Sequence, residues 1–332
     1  MLLTNYTRQV WQAGAAAPGR FGYHDCAMEN ADAAAADALS PFAPPAPPAP
    51  ATAPRAVSLT GDGGLHAVAG LDATLDAPNL LLRWGPDIGP PPAPDARRVR
   101  DLAAVLRAGG AGLDPDAPAY TVYRDVSTAE AAPEIARRGL LYVAVVLRGE
   151  PLGQEQARSR GHVNSHAAGT NTVFPEVVEV WQGRALLYLQ AGAVPEPPDV
   201  AVVELAPGDK AVVPPGWASL VANIGEASAP LVYGSWRARD CEPRYDALET
   251  LGGMAHFVLA DEPSSGGGYA FAPNARYRAA PVPRRIAVQD FSAFGLTRGT
   301  PMFTAFRGNP DAFRFMTRPQ DYVQAWTTLL AG

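Results

Sequence analysis

Beyond Tyr120 the apolar positions recur with a period of two. LLYVAVVLR (140–148), FPEVVEVWQ (174–182), ALLYLQ (185–190), VAVVELA (200–206) and PLVYGSW (230–236) are rich in β-branched and aromatic residues, and Gly, Pro and Asp turns separate them. Such runs predict strands, and several short strands at close spacing predict a mostly β sandwich or barrel. Upstream, DARRVRDLAAVLRAGG sets Val99, Leu102, Val105 and Leu106 at helical spacing, with Gly109 and Gly110 as a stop. The tail PQDYVQAWTTLLAG predicts a short C-terminal helix.

The pattern breaks down over 31–55, an Ala/Pro-rich stretch. Proline fixes φ and lacks an N–H, so this stretch reads as a semi-rigid linker. It divides an N-terminal extension (1–30), carrying Tyr6, Trp11, Phe21 and Tyr23, from a main domain over 56–279 with its barrel core at 140–236. Residues 280–332 form a C-terminal extension of mixed character. Hydrophobic residues make up 47% of the 332, enough to bury a sizeable core. A net charge of −6 gives no reason to expect nucleic acid as a partner. No apolar run reaches the roughly 18 residues that span a bilayer, and MLLTNYTRQVWQ lacks a signal-peptide apolar region. A cytoplasmic protein with no membrane partner is expected. Cys26 and Cys241 fit no metal or redox spacing.

Two short signatures carry the chemistry. Gly208, Pro214, Gly216 and Asn223 fit Gly-x5-Pro-x-Gly-x2-His-x3-Asn at every position but one, where Ser219 stands for the histidine. Gly161 and His162 open the companion signature, and Glu176, six residues and Gly183 close it; Asn164 stands at its second histidine. These spacings resemble the cupins, whose fold is a double-stranded β-helix or jelly-roll barrel. Within them the chain resembles the archaeal-type glucose-6-phosphate isomerases. RRVRDL (97–102), AYTVY (119–123), RGHVNSH, PEVVEVWQGRALLYLQ, PGDKAVVPPGWASLVANIG and EPRYDALETLGG follow in that family's order, over about residues 72–275.

The resemblance implies an isomerase of carbohydrate metabolism that interconverts glucose 6-phosphate and fructose 6-phosphate. It also implies a divalent metal ion (Fe, Mn, Zn or Ni) held by histidines and the Glu. The partner is then a small-molecule substrate, a sugar phosphate, and strand pairing makes a homodimer possible. His162 and Glu176 keep their family positions, while Asn164, Ser219, Val178 and Pro243 depart from them. An amide oxygen or a serine hydroxyl is a weak ligand for a transition metal. The expected metal set is therefore His162, His166 and Glu176, with Glu176 and Tyr245 as catalytic candidates. On an extended strand His162 and His166 would lie about 13 Å apart, so His166 joins only if the loop after Asn164 curls back. A buried Glu176 needs a metal or a cation such as Arg160. Glu179, three residues on, faces the other way and is expected in solvent. Tyr120, Tyr123 and Tyr245 are candidates to line the pocket. Two alternatives stay open: a diverged non-haem-iron cupin enzyme of specialised metabolism, since two histidines and a carboxylate suffice for iron, and a non-catalytic metabolite binder.

Overall fold

The computed structural model describes residues 64–226, 228–260 and 268–329. The N-terminal extension, the 31–55 linker, His24 and Cys26 lie outside the described residues. A hairpin of β1 (Ala73–Asp76) and β2 (Leu81–Trp84) comes first. There follow β3 (Asp95–Arg98), β4 (Pro118–Arg124), β5 (Leu140–Leu147), β6 (His162–Asn164), β7 (Glu176–Gln182) and β8 (Ala185–Ala191). Next are β9 (Val200–Leu205), β10 (Lys210–Val213), β11 (Trp217–Asn223) and β12 (Leu231–Ala238). Last are β13 (Pro243–Arg244), β14 (His256–Ala260), β15 (Tyr269–Pro273) and β16 (Arg284–Ile286).

Two sheets carry the fold, in the orders β10-β7-β12-β5-β4-β3 and β13-β6-β11-β8-β9-β16. Strands β5 to β12 are shared between them as β10-β7-β12-β5 and β6-β11-β8-β9, all antiparallel. That is the order of a jelly roll built from two Greek keys, and it gives a mostly β cupin fold. Among the described residues no ladder joins one sheet to the other, so the expected closed barrel is a two-layer sandwich.

The five strands read from the apolar pattern all form, each within two residues of its expected ends. Three others of the sandwich, β6, β10 and β11, are short or carry polar residues on one face. The helix expected over DARRVRDLAAVLRAGG is reduced to Val99–Leu102 and a 3-10 turn, Ala103–Val105. Its first residues instead form edge strand β3 against β4. The four apolar residues at helical spacing are buried all the same. The C-terminal helix forms over Val323–Thr328.

Alternation along β5, β7 and β12 sends Val143, Val145, Val178, Val180 and Tyr233 into the sandwich, where they meet Leu187, Leu189, Val203 and Val221 of the facing sheet. The opposite parity sends Tyr142, Trp181 and Trp236 outward, yet all three are buried. The segment from Phe291 to Trp326 covers them, with Met302, Phe303, Phe306 and Phe313 packed on the sheet and Trp236 stacked on Phe303 at 6.1 Å. Each aromatic so buried contributes about 1.5–3 kcal/mol. Gly234 makes room for this layer: a Cβ there would meet Trp181 at 2.6 Å and the Tyr142 hydroxyl at 2.7 Å.

The same cover explains why Glu179 is not in solvent. It does face outward, opposite in parity to Glu176, but its Oε1 accepts Lys210 Nζ at 2.9 Å and the Met302 N–H at 3.0 Å, and it is fully buried. Burial pushes its carboxyl up, and Lys210 and the Met302 amide only partly oppose this, so it titrates at about 7 instead of 4.5. The folded chain therefore binds the extra proton between those values, and this contribution to stability falls as pH rises from about 4.5 to about 7. Thermal unfolding of wild type and Glu179→Gln at pH 5, 6, 7 and 8 checks this. The melting temperature of wild type relative to the variant should decline over that range and level off above it.

Candidate functional site

Gly161 takes the left-handed conformation (φ 81) that turns the chain onto β6, and His162 is the first residue of that strand. Glu176 is the first residue of β7 in the facing sheet. The two side chains meet across the sandwich, His162 Nε2 lying 3.1 Å from Glu176 Oε2. On β12, beside β7, Ser235 and Arg237 share the inward parity. Ser235 Oγ donates to Glu176 Oε1 at 2.5 Å, and Arg237 donates to the same oxygen through Nη2 at 2.7 Å and Nε at 3.1 Å.

Glu176 is only 2% exposed. Burial pushes its carboxyl up, but the Arg237 guanidinium, His162 and the Ser235 hydroxyl outweigh it and hold it down at about 2. An ionised carboxylate only accepts hydrogen bonds, so Nε2 of His162 carries the ring proton and Nδ1 is left as the basic nitrogen.

The pair borders a cavity of about 440 Å³ inside the sandwich. Arg97, Arg124, Arg160, Arg237 and Arg239 all line it, and Glu176 is the one acidic residue among the lining. Arg160 pairs with Glu249 and lies over the Tyr245 ring, 4.4 Å from its centroid. Tyr245 in turn stands 6.3 Å from the His162 ring, centroid to centroid. Tyr120 borders the cavity too, and burial raises its hydroxyl to about 12. Cys241 lines it as a buried thiol pushed up to about 11.

Several sequence expectations are redirected here. The cation beside Glu176 is Arg237, not Arg160. Tyr123 is not in the cavity: strand alternation turns it outward, where its hydroxyl accepts the Leu82 N–H at 2.8 Å. His166 is exposed and does not line the cavity. Its backbone bridges to Val173, closing the loop on itself so that it does not curl back toward His162. Sequence reasoning missed Arg237 and Ser235, which lie outside both signatures. Their signal is the parity they share with Tyr233 on a strand that is otherwise apolar.

The residues do not fit the divalent ion that the resemblance implies. Both Glu176 oxygens are engaged, one by a guanidinium that already supplies positive charge. Asn164 directs its Nδ2 to the Phe174 carbonyl at 3.0 Å; its Oδ1 is buried without a partner among the described residues, but it is an amide oxygen on a residue that does not line the cavity. Ser219 stands in register with His162 on β11 but carries only a hydroxyl. Among the described residues, no three His, Cys, Asp or Glu side chains are grouped so as to hold a metal ion.

A family model for glucose-6-phosphate isomerase matches residues 96–267, more than half of the chain. Three solved structures illustrate the wider likeness. Peruvianin-I, a cysteine peptidase from Thevetia peruviana latex, is 20% identical, with a TM-score of 0.27 over 38% of this chain and 66% of that one. Oxalate decarboxylase from Bacillus subtilis at pH 4.6 is 22% identical, with a TM-score of 0.24 over 36% and 26%. Oxalate oxidase in complex with the substrate analogue glycolate is 14% identical, with a TM-score of 0.27 over 38% and 55%. The chain thus spans less than two thirds of the length of each. No curated protein matches the sequence.

Arg237 and Glu176 should depend on each other. Removing one partner of a buried pair strands the other's charge, so Arg237→Ala should cost about 3–5 kcal/mol in denaturant unfolding. The double variant with Glu176→Gln should lose clearly less than the two single losses combined.

Proposed function

We propose, starting from the fact that the chain belongs to the glucose-6-phosphate isomerase family, that its cavity binds a sugar phosphate and isomerises it between aldose and ketose. What supports this most is one arrangement: five guanidiniums line a cavity within the size range of small-molecule sites, around a single His–Glu pair, and the carboxylates paired with them are four, Asp95, Asp125, Glu176 and Glu249. A cavity so lined favours an anion, and guanidinium forks suit phosphate oxygens. Arg124, paired with Asp95, and Arg239, paired with Asp125, are about half exposed; their remaining N–H groups suit them to take the phosphate, while the sugar carbons reach inward to His162.

Isomerisation moves one proton between C1 and C2 of the open-chain sugar. In this reading Nδ1 of His162 takes the proton from C2 of the aldose, an enediolate forms, and the same nitrogen returns the proton to C1. The hydroxyl proton passes from O2 to O1, so that nothing is gained or lost. Glu176 is a positioning residue: ionised at neutral pH, it fixes the ring tautomer and stabilises the imidazolium that forms transiently. The arginines meet the negative charge of the enediolate. Tyr245, under the Arg160 guanidinium and 6.3 Å from the imidazole centroid, helps bound the space around the ring. No described helix is long and apolar enough to cross a membrane, and a cytoplasmic setting accords with a sugar-phosphate substrate.

Conversion of fructose 6-phosphate to glucose 6-phosphate, followed by a coupled dehydrogenase, tests the reading. Wild type should turn over, and His162→Ala should lower kcat by about 10²–10⁴-fold. Arg239→Ala should act mainly on KM, raising it about tenfold. Saturable binding of fructose 6-phosphate without turnover would leave a metabolite binder and end the isomerase reading.

A further inference from the structure

We infer that the guanidinium of Arg237 is the working cation of this site, so that the cavity operates without a divalent metal and Arg237 itself holds a substrate oxygen. Oε1 of Glu176 already accepts three hydrogen bonds, from Ser235 Oγ, Arg237 Nη2 and Arg237 Nε, and Oε2 faces His162 Nε2. A transition-metal ion bonds carboxylate oxygen at roughly 2.0–2.2 Å, in the space these donors fill. It would also have to share the carboxylate with a fixed positive charge.

The two altered signature positions agree with this. Ser219 lies directly across from His162 in the β6–β11 register, so a ligand there would sit beside the imidazole, yet the chain supplies a short hydroxyl. Asn164 shares the parity of His162, but it does not line the cavity, and its Oδ1, buried and without a partner among the described residues, is only a weak amide ligand. Both positions thus offer only weak ligands, and one fixed cation is present. The guanidinium is not used up by Glu176, because no group among the described residues accepts from its Nη1. Arg237 lines the cavity. Its third nitrogen is thus available to a carbonyl or alkoxide oxygen of the ligand, the role a metal would otherwise take.

The cavity is the one proposed above to hold the sugar phosphate, so metal binding is read separately from turnover. Full-length wild type is treated with EDTA, dialysed, and titrated with Mn²⁺, Zn²⁺ and Ni²⁺ by calorimetry, with elemental analysis before and after chelation. It should carry no stoichiometric metal and take up none, and its affinity for fructose 6-phosphate should be unchanged by EDTA. N164H/S219H, with Arg237 kept, should still bind no metal. N164H/S219H/R237A should gain at least 100-fold in affinity for one of the three ions. Stoichiometric metal in wild type, lost to EDTA together with fructose 6-phosphate affinity, would overturn the inference. So would stoichiometric metal binding by N164H/S219H. Neither decisive result needs the R237A chain to fold. EDTA-resistant binding without turnover would sink only the isomerisation, and metal-dependent turnover only the role of Arg237.

Discussion

A carboxylate with almost no access to water cannot stay charged unless something positive touches it, and that constraint organises this site. Glu176 sits at the start of a strand in one sheet, and its charge is balanced by Arg237 from the neighbouring strand. Once ionised and fixed, it reaches across the sandwich to His162 of the other sheet. The contact therefore both ties the two layers together and sets which nitrogen of the imidazole is basic. The surrounding arginines, each paired to a carboxylate, and the His162–Glu176 pair are the groups on which the proposed binding of an anion and transfer of a proton rest.

The same strands meet a second demand on their outer side. Glu179 and Glu176 are three residues apart on one strand, point to opposite faces, and are both buried, yet they differ in charge behaviour. Glu176 has a guanidinium and two further partners and is held low; Glu179 has one ammonium and one amide under an aromatic layer and is pushed up. Partner number and burial, not residue type, decide which carboxyl keeps its charge at neutral pH. The aromatic layer also explains why β5, β7 and β12 read as nearly continuous apolar runs: there is little water on either face.

Much of the sandwich was legible because burial leaves a period-two trace, and the His162–Glu176 pairing because its spacing follows a signature. What escaped was polar or distant in sequence. Strand β3, DARR, has no apolar alternation and forms only because β4 offers an edge. Arg237 lies 61 residues from Glu176, and only the antiparallel pairing of β7 and β12 brings them together. Glu179 looked like a surface residue because nothing local announces that a segment more than a hundred residues later will cover it. His166 could be called a ligand while the loop after it was free to take any path, and the His166–Val173 bridge removes that freedom.

The whole site depends on the charge of one buried carboxyl. Carbon-13 NMR of the Glu176 side chain, assigned by comparison with Glu176→Gln in chelator-treated protein, follows its ionisation directly from pH 7 down to pH 3.5. The carboxyl should remain ionised throughout, its shift flat across the usual carboxylate range, because Arg237 and His162 hold it near 2. A titration centred at 4.5 or above would show that the guanidinium does not balance it, and would contradict the arrangement on which the site depends.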